Sequence, residues 1–237
     1  MNIHFIQHES FEPPGAYLKW AKQRGHHIAI SKVFEHQALP DDVSNIDFLI
    51  VMGGPQSPDT TTEEYSYFDA KAEMKLMKDC IDAGKLVVGV CLGAQLMGQA
   101  LGANYERSPE REIGNFPIQL TAEGQKDDNL SHLGHSFVTG HWHNDMPGLT
   151  ADSVVLAVSE GCPRQIIKYA DRAYGIQCHL EFSSEIAGLL IEQDSNLEAK
   201  NKIYKYFQSP DQLLNYNYSE MNEKLYSFLD KLAAAKN

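Results

Sequence analysis

The sequence predicts a three-layer α/β protein, a mostly parallel sheet with helices on both faces, followed by a helical C-terminal extension. Three observations carry that expectation. Two near-continuous apolar runs, Asp47–Met52 and Leu86–Val90, have the look of strands buried on both faces. Segments of helical periodicity separate the strand-like segments, the order that builds a parallel sheet by crossover connections. Glycines stand where the helical patterns stop, at Gly25, Gly84 and Gly102.

Taken in order, Asn2–Gln7 reads as a first strand, closed by Pro13-Pro14-Gly15. Ala16–Arg24 then sets Tyr17, Trp20 and Ala21 at helical spacing. His27–Val33 is a second strand and Asp47–Met52 a third. A helix is expected from about Glu64 to Ala83, a strand over Leu86–Val90 and a helix over Leu92–Leu101. The second half is less regular. Strands are expected near Ile113–Thr121, Ser153–Val158, Gln165–Tyr169 and Ala173–Cys178, and from Ser184 onward the pattern is helical. Ser219 suits an N-cap for a last helix with Met221, Leu225, Phe228, Leu229 and Leu232 on one stripe. That stripe needs cover, from its own domain or from a partner. Without repeats or low-complexity linkers, residues 1–237 are expected to form one domain, with about 185–237 as the extension.

Composition narrows the function. The 237 residues are 43% hydrophobic and 22% charged, an ordinary globular balance. A net charge of −12 argues against general nucleic-acid binding, which needs clustered Lys and Arg. No run approaches the roughly 20 apolar residues of a membrane helix, and the N-terminus lacks the pattern of a signal peptide. The four cysteines form no CxxC pair, so a reducing cytoplasm is the expected location.

The chemistry points to Gly89-Val90-Cys91-Leu92-Gly93-Ala94-Gln95, where a buried strand meets a helix. A nucleophile elbow requires that setting, because small residues on both sides let the backbone bend tightly enough to lift one side chain off the sheet. The helix N-terminus then favours a thiolate, and the N–H of Leu92 is placed to donate to an oxyanion. A cysteine nucleophile needs a base and a group to orient it. Among ten histidines, His179 in His179-Leu180-Glu181 follows a strand-like segment. On a strand, residues two apart share a face, so Glu181 can hold the imidazole. Cys80, Cys162 and Cys178 lack an elbow.

Together with an upstream Met52-Gly53-Gly54-Pro55-Gln56-Ser57-Pro58, these motifs resemble a class I, triad-type glutamine amidotransferase domain, nearest to the GMP-synthase-like, stand-alone branch. The resemblance implies a flavodoxin-like fold and no cofactor. It implies Cys91 as nucleophile, His179 as base and then acid, and Glu181 as orienter. Gly54 and Leu92 would donate backbone N–H groups to the oxyanion. Gly53, Gln95, and Trp142 and His143 of the loop His141–Asp145 would hold the substrate. The sequence departs from the family's usual Q-F-H-P-E in reading Gln177-Cys178-His179-Leu180-Glu181. It also carries no synthetase-like segment after the motifs. Two activities share the thioester chemistry: a glutaminase delivering ammonia to a separate synthetase subunit, and a self-contained γ-glutamyl peptide or conjugate hydrolase or transferase. A third reading is a non-catalytic binding domain with a decayed site. An α/β-hydrolase is disfavoured, since its order is nucleophile, acid, histidine.

No metal is expected. His141-x-His143, with His132 and His135 nearby, offers ligand residue types, but Asp145 is the one carboxylate at matching spacing. The small-molecule substrate is expected to be glutamine or a γ-glutamyl compound, with neither nucleic acid nor membrane as partner; a homo-oligomer is compatible with the sequence.

Overall fold

A computed structural model describes residues 1–194, Leu197 and 203–234. Its elements run β1 (Asn2–Gln7), α1 (Gly15–Gln23), β2 (His27–Lys32), β3 (Phe48–Val51), α2 (Ala70–Asp82), β4 (Leu86–Val90) and α3 (Leu92–Ala100). Then follow β5 (Glu106–Leu120), β6 (Ser136–Met146), β7 (Val154–Val158), β8 (Ile166–Ala170), β9 (Ala173–Ile176) and α4 (Ser184–Gln193). The last described elements are β10 (Tyr206–Phe207), α5 (Pro210–Leu214) and α6 (Ser219–Ala234).

The strands join in one sheet of order β10-β5-β7-β8-β9-β4-β3-β1-β2, with β6 paired to β5. The block β9-β4-β3-β1-β2 is parallel throughout, whereas β5, β6, β7, β8 and the β8–β9 pair run antiparallel. The apolar runs are buried on both sides because successive residues feed opposite layers. Phe48, Ile50, Val88 and Val90 pack with Tyr17 and Trp20 of α1 and Leu225, Phe228, Leu229 and Leu232 of α6. Leu49, Val51 and Val87 pack on the other face with Leu76, Met77, Leu96 and Met97 of α2 and α3. This is the expected three-layer fold.

The stripe of α6 therefore finds its cover within the chain. Met221, Leu225, Phe228, Leu229 and Leu232 are all at most 2% exposed. A polar clasp fixes the helix pair: Asp230 accepts from Trp20 Nε1 at 2.8 Å and from the Arg24 guanidinium at 2.7 and 2.9 Å.

Four expectations need correction. The second helix starts at Ala70, not near Glu64, because Asp69 caps it by accepting the Ala72 N–H at 3.0 Å. The segment His141–Asp145 is not a loop but part of β6. β9 ends at Ile176, so His179 and Glu181 follow the strand instead of continuing it. The stretch after Ser184 is not uniformly helical, since β10 adds to the sheet edge beside β5; part of that reading, at 195, 196, 198–202 and 235–237, lies outside the described residues.

Candidate active site

Four adjacent parallel strands, β9, β4, β3 and β1, deliver the site at their carboxyl ends, where parallel sheets present ligands. After β4 comes Cys91, with φ 50° and ψ −105°. A non-glycine residue there is strained and persists because its surroundings leave no alternative. The flanking glycines are demanded by space. A Cβ on Gly89 would lie 2.8 Å from the Ala94 nitrogen, and one on Gly93 would lie 2.9 Å from the Val51 carbonyl carbon. The elbow is therefore wedged between its own helix and β3.

His179 reaches the same point from beyond β9. Its backbone exchanges two hydrogen bonds of 2.7 Å with Gly140 of β6, an isolated bridge outside the named strands. Its Nδ1 lies 2.6 Å from Glu181 Oε1, and its ring stacks on Phe182 at 4.3 Å between centroids. With Nδ1 taken by the carboxylate, the other nitrogen is the one left for the Cys91 thiol, which acts electrostatically on the ring. Burial disfavours a charged imidazole here. Glu181 and the Cys91 sulfur outweigh it and raise His179 well above the usual histidine range. An imidazolium facing sulfur is the partner a thiolate needs. Burial pushes the Cys80 and Cys162 thiols up to about 11, and Cys178 higher still. They are inert thiols at neutral pH.

After β3, Gly53 and Gly54 pass directly over the elbow. A Cβ on Gly53 would sit 3.4 Å from Cys91 Cβ and 3.5 Å from the His179 ring. This loop is tied down by a residue the sequence reading missed. His8, fully buried at the end of β1, bonds Gly53 O through Nδ1 at 3.0 Å and Glu73 Oε2 through Nε2 at 2.8 Å. A carbonyl only accepts, so Nδ1 carries a proton, and the Glu73 side favours a second. Burial opposes that charge, yet the Glu73 carboxylate prevails and His8 is raised from its ordinary value.

A cleft of about 550 Å³ opens above Cys91. Gly54, Gln95, Trp142 and His143 line it, and so do Glu9, Glu12 and Arg111, which sequence reasoning did not single out. Gln95 donates to Gln177 Oε1 at 3.1 Å, which fixes its amide at the cleft floor. Glu9 accepts from Tyr67 and from Gln56 at 2.7 Å. Burial is the main cause that lifts the Glu12 carboxyl to about 7; His179 and His8 pull it down while Glu181 and Glu9 push it up. The P-P-G turn immediately after it was the available signal for Glu12, but nothing in it marks a charged wall. His143 reaches the cleft wall with its Nε2 turned away, 3.2 Å from Glu112 Oε2. Burial first, and the neighbouring His141 with it, drives His143 down to about 4 against the pull of Glu112, so it is neutral at pH 7. The expectation that Asp145 alone could accompany the HxH pair is thus incorrect. Glu112 lies directly across from His143 in the β5–β6 register.

Comparison with known proteins gives the family and the fold. Residues 17–199 match the family model described as glutamine amidotransferase class-I. The chain is 49% identical over 235 residues to YfeJ of Salmonella typhimurium, whose name marks it only as glutamine amidotransferase-like; the match covers 99% of this chain and 98% of that one. It is 36% identical over 141 residues to the glutamine-hydrolysing GMP synthase of Edwardsiella ictaluri, covering 56% of this chain and 25% of that enzyme. Among solved structures, SMU.1228c superposes with a TM-score of 0.97 at 51% identity, over 98% of this chain and 100% of the other. A glutamine amidotransferase from Thermotoga maritima shares the fold, with a TM-score of 0.86 at 20% identity over 99% of each chain.

Proposed function

The chain belongs to the class-I glutamine amidotransferase family, and on that premise we propose that it hydrolyses the side-chain amide of glutamine through a thioester on Cys91. The observation that carries this reading is the convergence of Cys91, after β4, with His179 and Glu181, after β9, at one sheet edge. The Cys91 sulfur attacks the amide carbon while His179 holds the thiol proton. Backbone N–H groups of Gly54 and Leu92 face the oxygen that becomes negative. His179 gives its proton to the leaving nitrogen, which departs as ammonia and leaves a γ-glutamyl thioester. Water, deprotonated by His179, then attacks the thioester, releasing glutamate and restoring the thiol. Glu181 keeps the imidazole in the productive tautomer and stabilises its charge.

The cleft supports an amino-acid substrate. Glu9 and Glu12 on one side suit an α-ammonium, and Arg111 suits an α-carboxylate through a planar fork of donors. Gln95 and Trp142 would supply the remaining contacts; Gly53 lets the substrate approach closely. Ammonia so released would pass to an acceptor on a separate synthetase subunit, in keeping with the likeness to a GMP synthase.

One feature favours the γ-glutamyl alternative. The cleft continues past the elbow to Leu190 and Gln193 of α4, and its volume lies within the roughly 300–1,000 Å³ of sites that enclose larger ligands. Glutamate release from glutamine and from γ-glutamyl dipeptides, measured side by side, separates the readings. Cys91→Ala should remove turnover of either substrate. His179→Ala should cost nearly as much, and both changes together no more than one, because the pair acts as a unit. Glu181→Gln should cost less, by analogy with an orienter that keeps geometry but loses charge. A His179→Ala protein with full activity would overturn the mechanism.

A further inference from the structure

Behind the cleft wall, four side chains turn their polar ends toward one point. They are Glu112 of β5, His141 and His143 of β6, and Gln165 just before β8, each at most 5% exposed. Glu112 Oε2 is 3.2 Å from His143 Nε2 and 3.4 Å from His141 Nδ1. The two imidazole nitrogens are 3.4 Å apart. The Gln165 amide nitrogen is 3.2 Å from each of them and 2.7 Å from Glu112 Oε2. These six separations are the edges of a small tetrahedron. Four ligand atoms around a tetrahedral zinc, each about 2.0–2.1 Å from it, stand about 3.3 Å from one another.

Hydrogen-bond accounting points the same way. His141 Nε2 lies 2.9 Å from Thr139 Oγ1 and 3.3 Å from the Phe116 carbonyl oxygen, an acceptor that requires the ring proton on Nε2. In the neutral ring, Nδ1 then aims a lone pair at the Glu112 carboxylate. Gln165 has two N–H hydrogens for four neighbours: Glu112 Oε2, the two imidazoles and Ser159 Oγ at 2.9 Å. Among the described residues His143 Nδ1 has no partner of its own, which leaves the Nε2 lone pair of that ring available to the same point. A half-turn of the Gln165 amide puts Oε1 at the fourth corner, giving two nitrogens and two oxygens, a donor set zinc accepts. Ser159 Oγ, 2.8 Å from Glu112 Oε1, then orients the carboxylate from outside.

We propose that Glu112, His141, His143 and Gln165 bind one divalent transition-metal ion, zinc in the first instance, that braces the cleft wall from behind. The ion joins β5, β6 and the entry to β8. Its job is to fix the strand that presents Trp142 and, through Gly140, the backbone of His179. The competing account is a network held by protons alone.

The test uses the full chain, stripped with a zinc chelator and titrated with zinc sulfate against a chromophoric competitor, with metal content read by mass spectrometry. About one zinc per chain should bind, equally in Cys91→Ala, which removes the thiol. Zinc at a thousandfold excess over its Kd should raise the melting temperature by roughly 8–16 °C. Glu112→Gln and His141→Asn should weaken binding by more than the ~10–100-fold typical of losing an outer contact. Both should melt at one temperature with or without zinc. If those variants fail to fold, cobalt replaces zinc in the parent chain. A tetrahedral visible spectrum without sulfur charge transfer supports the site, and an octahedral hexaaqua-like spectrum overturns it. A stripped, folded chain that takes up no zinc at micromolar excess, or variants that bind as the parent does, would assign the cluster to protons.

Discussion

Gly93→Ala puts the elbow geometry to a direct test. The added Cβ would stand 2.9 Å from the Val51 carbonyl carbon and 3.1 Å from Val51 Cβ, with the carbonyl oxygen nearer still. Ordinary contact begins near 3.4 Å, so α3 and β3 must part by roughly 0.5–1 Å, and alanine has no rotamer through which to escape. Such overpacking costs about 1–3 kcal/mol, while alanine in place of glycine in a helix returns up to about 1 kcal/mol. A net loss of about 1–2 kcal/mol lowers the melting temperature by roughly 2–8 °C in a chain of this size. The chemical consequence is larger. Moving the first turn of α3 shifts the Leu92 N–H and Cys91 against His179, and a misplacement approaching 1 Å costs up to about 10²-fold in rate. Thermal unfolding and glutamate release from one preparation check both effects. A variant with the parent's melting temperature and rate would refute the packing argument. One that melts lower but turns over normally would refute the link from packing to chemistry.

Two other outcomes follow from burial. The Glu12 carboxyl titrates near 7 in the folded chain against an ordinary value of 4.5, so its ionisation removes stability as pH rises through that window. Glu12→Gln should therefore gain in melting temperature relative to the parent between about pH 4.5 and 7 and hold the gain above it; a difference independent of pH would show that the group is not perturbed. Leu229, with no exposed surface, packs in the cluster of α6, α1 and the sheet. Leu229→Ala should cost about 2–5 kcal/mol, a fall of roughly 4–20 °C in calorimetry, and a parent-like melt would mean that α6 does not close that layer.

What could be read from the sequence divides along one line. Strands with apolar side chains announced themselves: Phe48–Val51 and Leu86–Val90 fall where their runs predict, and the elbow is specified by residues adjacent in sequence. The base and its orienter were also local, two residues apart, although a bent segment after β9, bridged to β6 at His179, holds them and not the strand itself. β6 escaped because its inward residues, Thr139, His141 and His143, are polar, and hydrophobic alternation is blind to a strand that buries imidazoles. Glu112 escaped for a different reason. Its place opposite His143 is a matter of register between distant segments, which composition does not encode. His8 and Glu73 are 65 residues apart and meet only because β1 and α2 flank the same strand end. Charged groups buried in pairs look, in one dimension, like solvent-facing ones.

The bridge between Gly140 and His179 bears on how such a protein tolerates length changes. Because the base hangs from β6 by two backbone bonds, its position is written into the register of a hairpin whose turn lies far away, in residues 121–135. That connection is itself anchored, with Leu130 and Leu133 in the core and Asn129 bonded to Tyr174, so only its exposed positions tolerate a change of length. A single insertion between Phe137 and Gly140 is another matter, for it would exchange the inward and outward faces of everything beyond it. Gly140 must also stay bare, since a Cβ there would run into Phe182, the ring on which His179 stacks. Residues 136–182 thus form a unit of inheritance: a chimera that joins two such proteins within this span breaks the alignment of the base, whereas one that joins them in the hairpin turn keeps it.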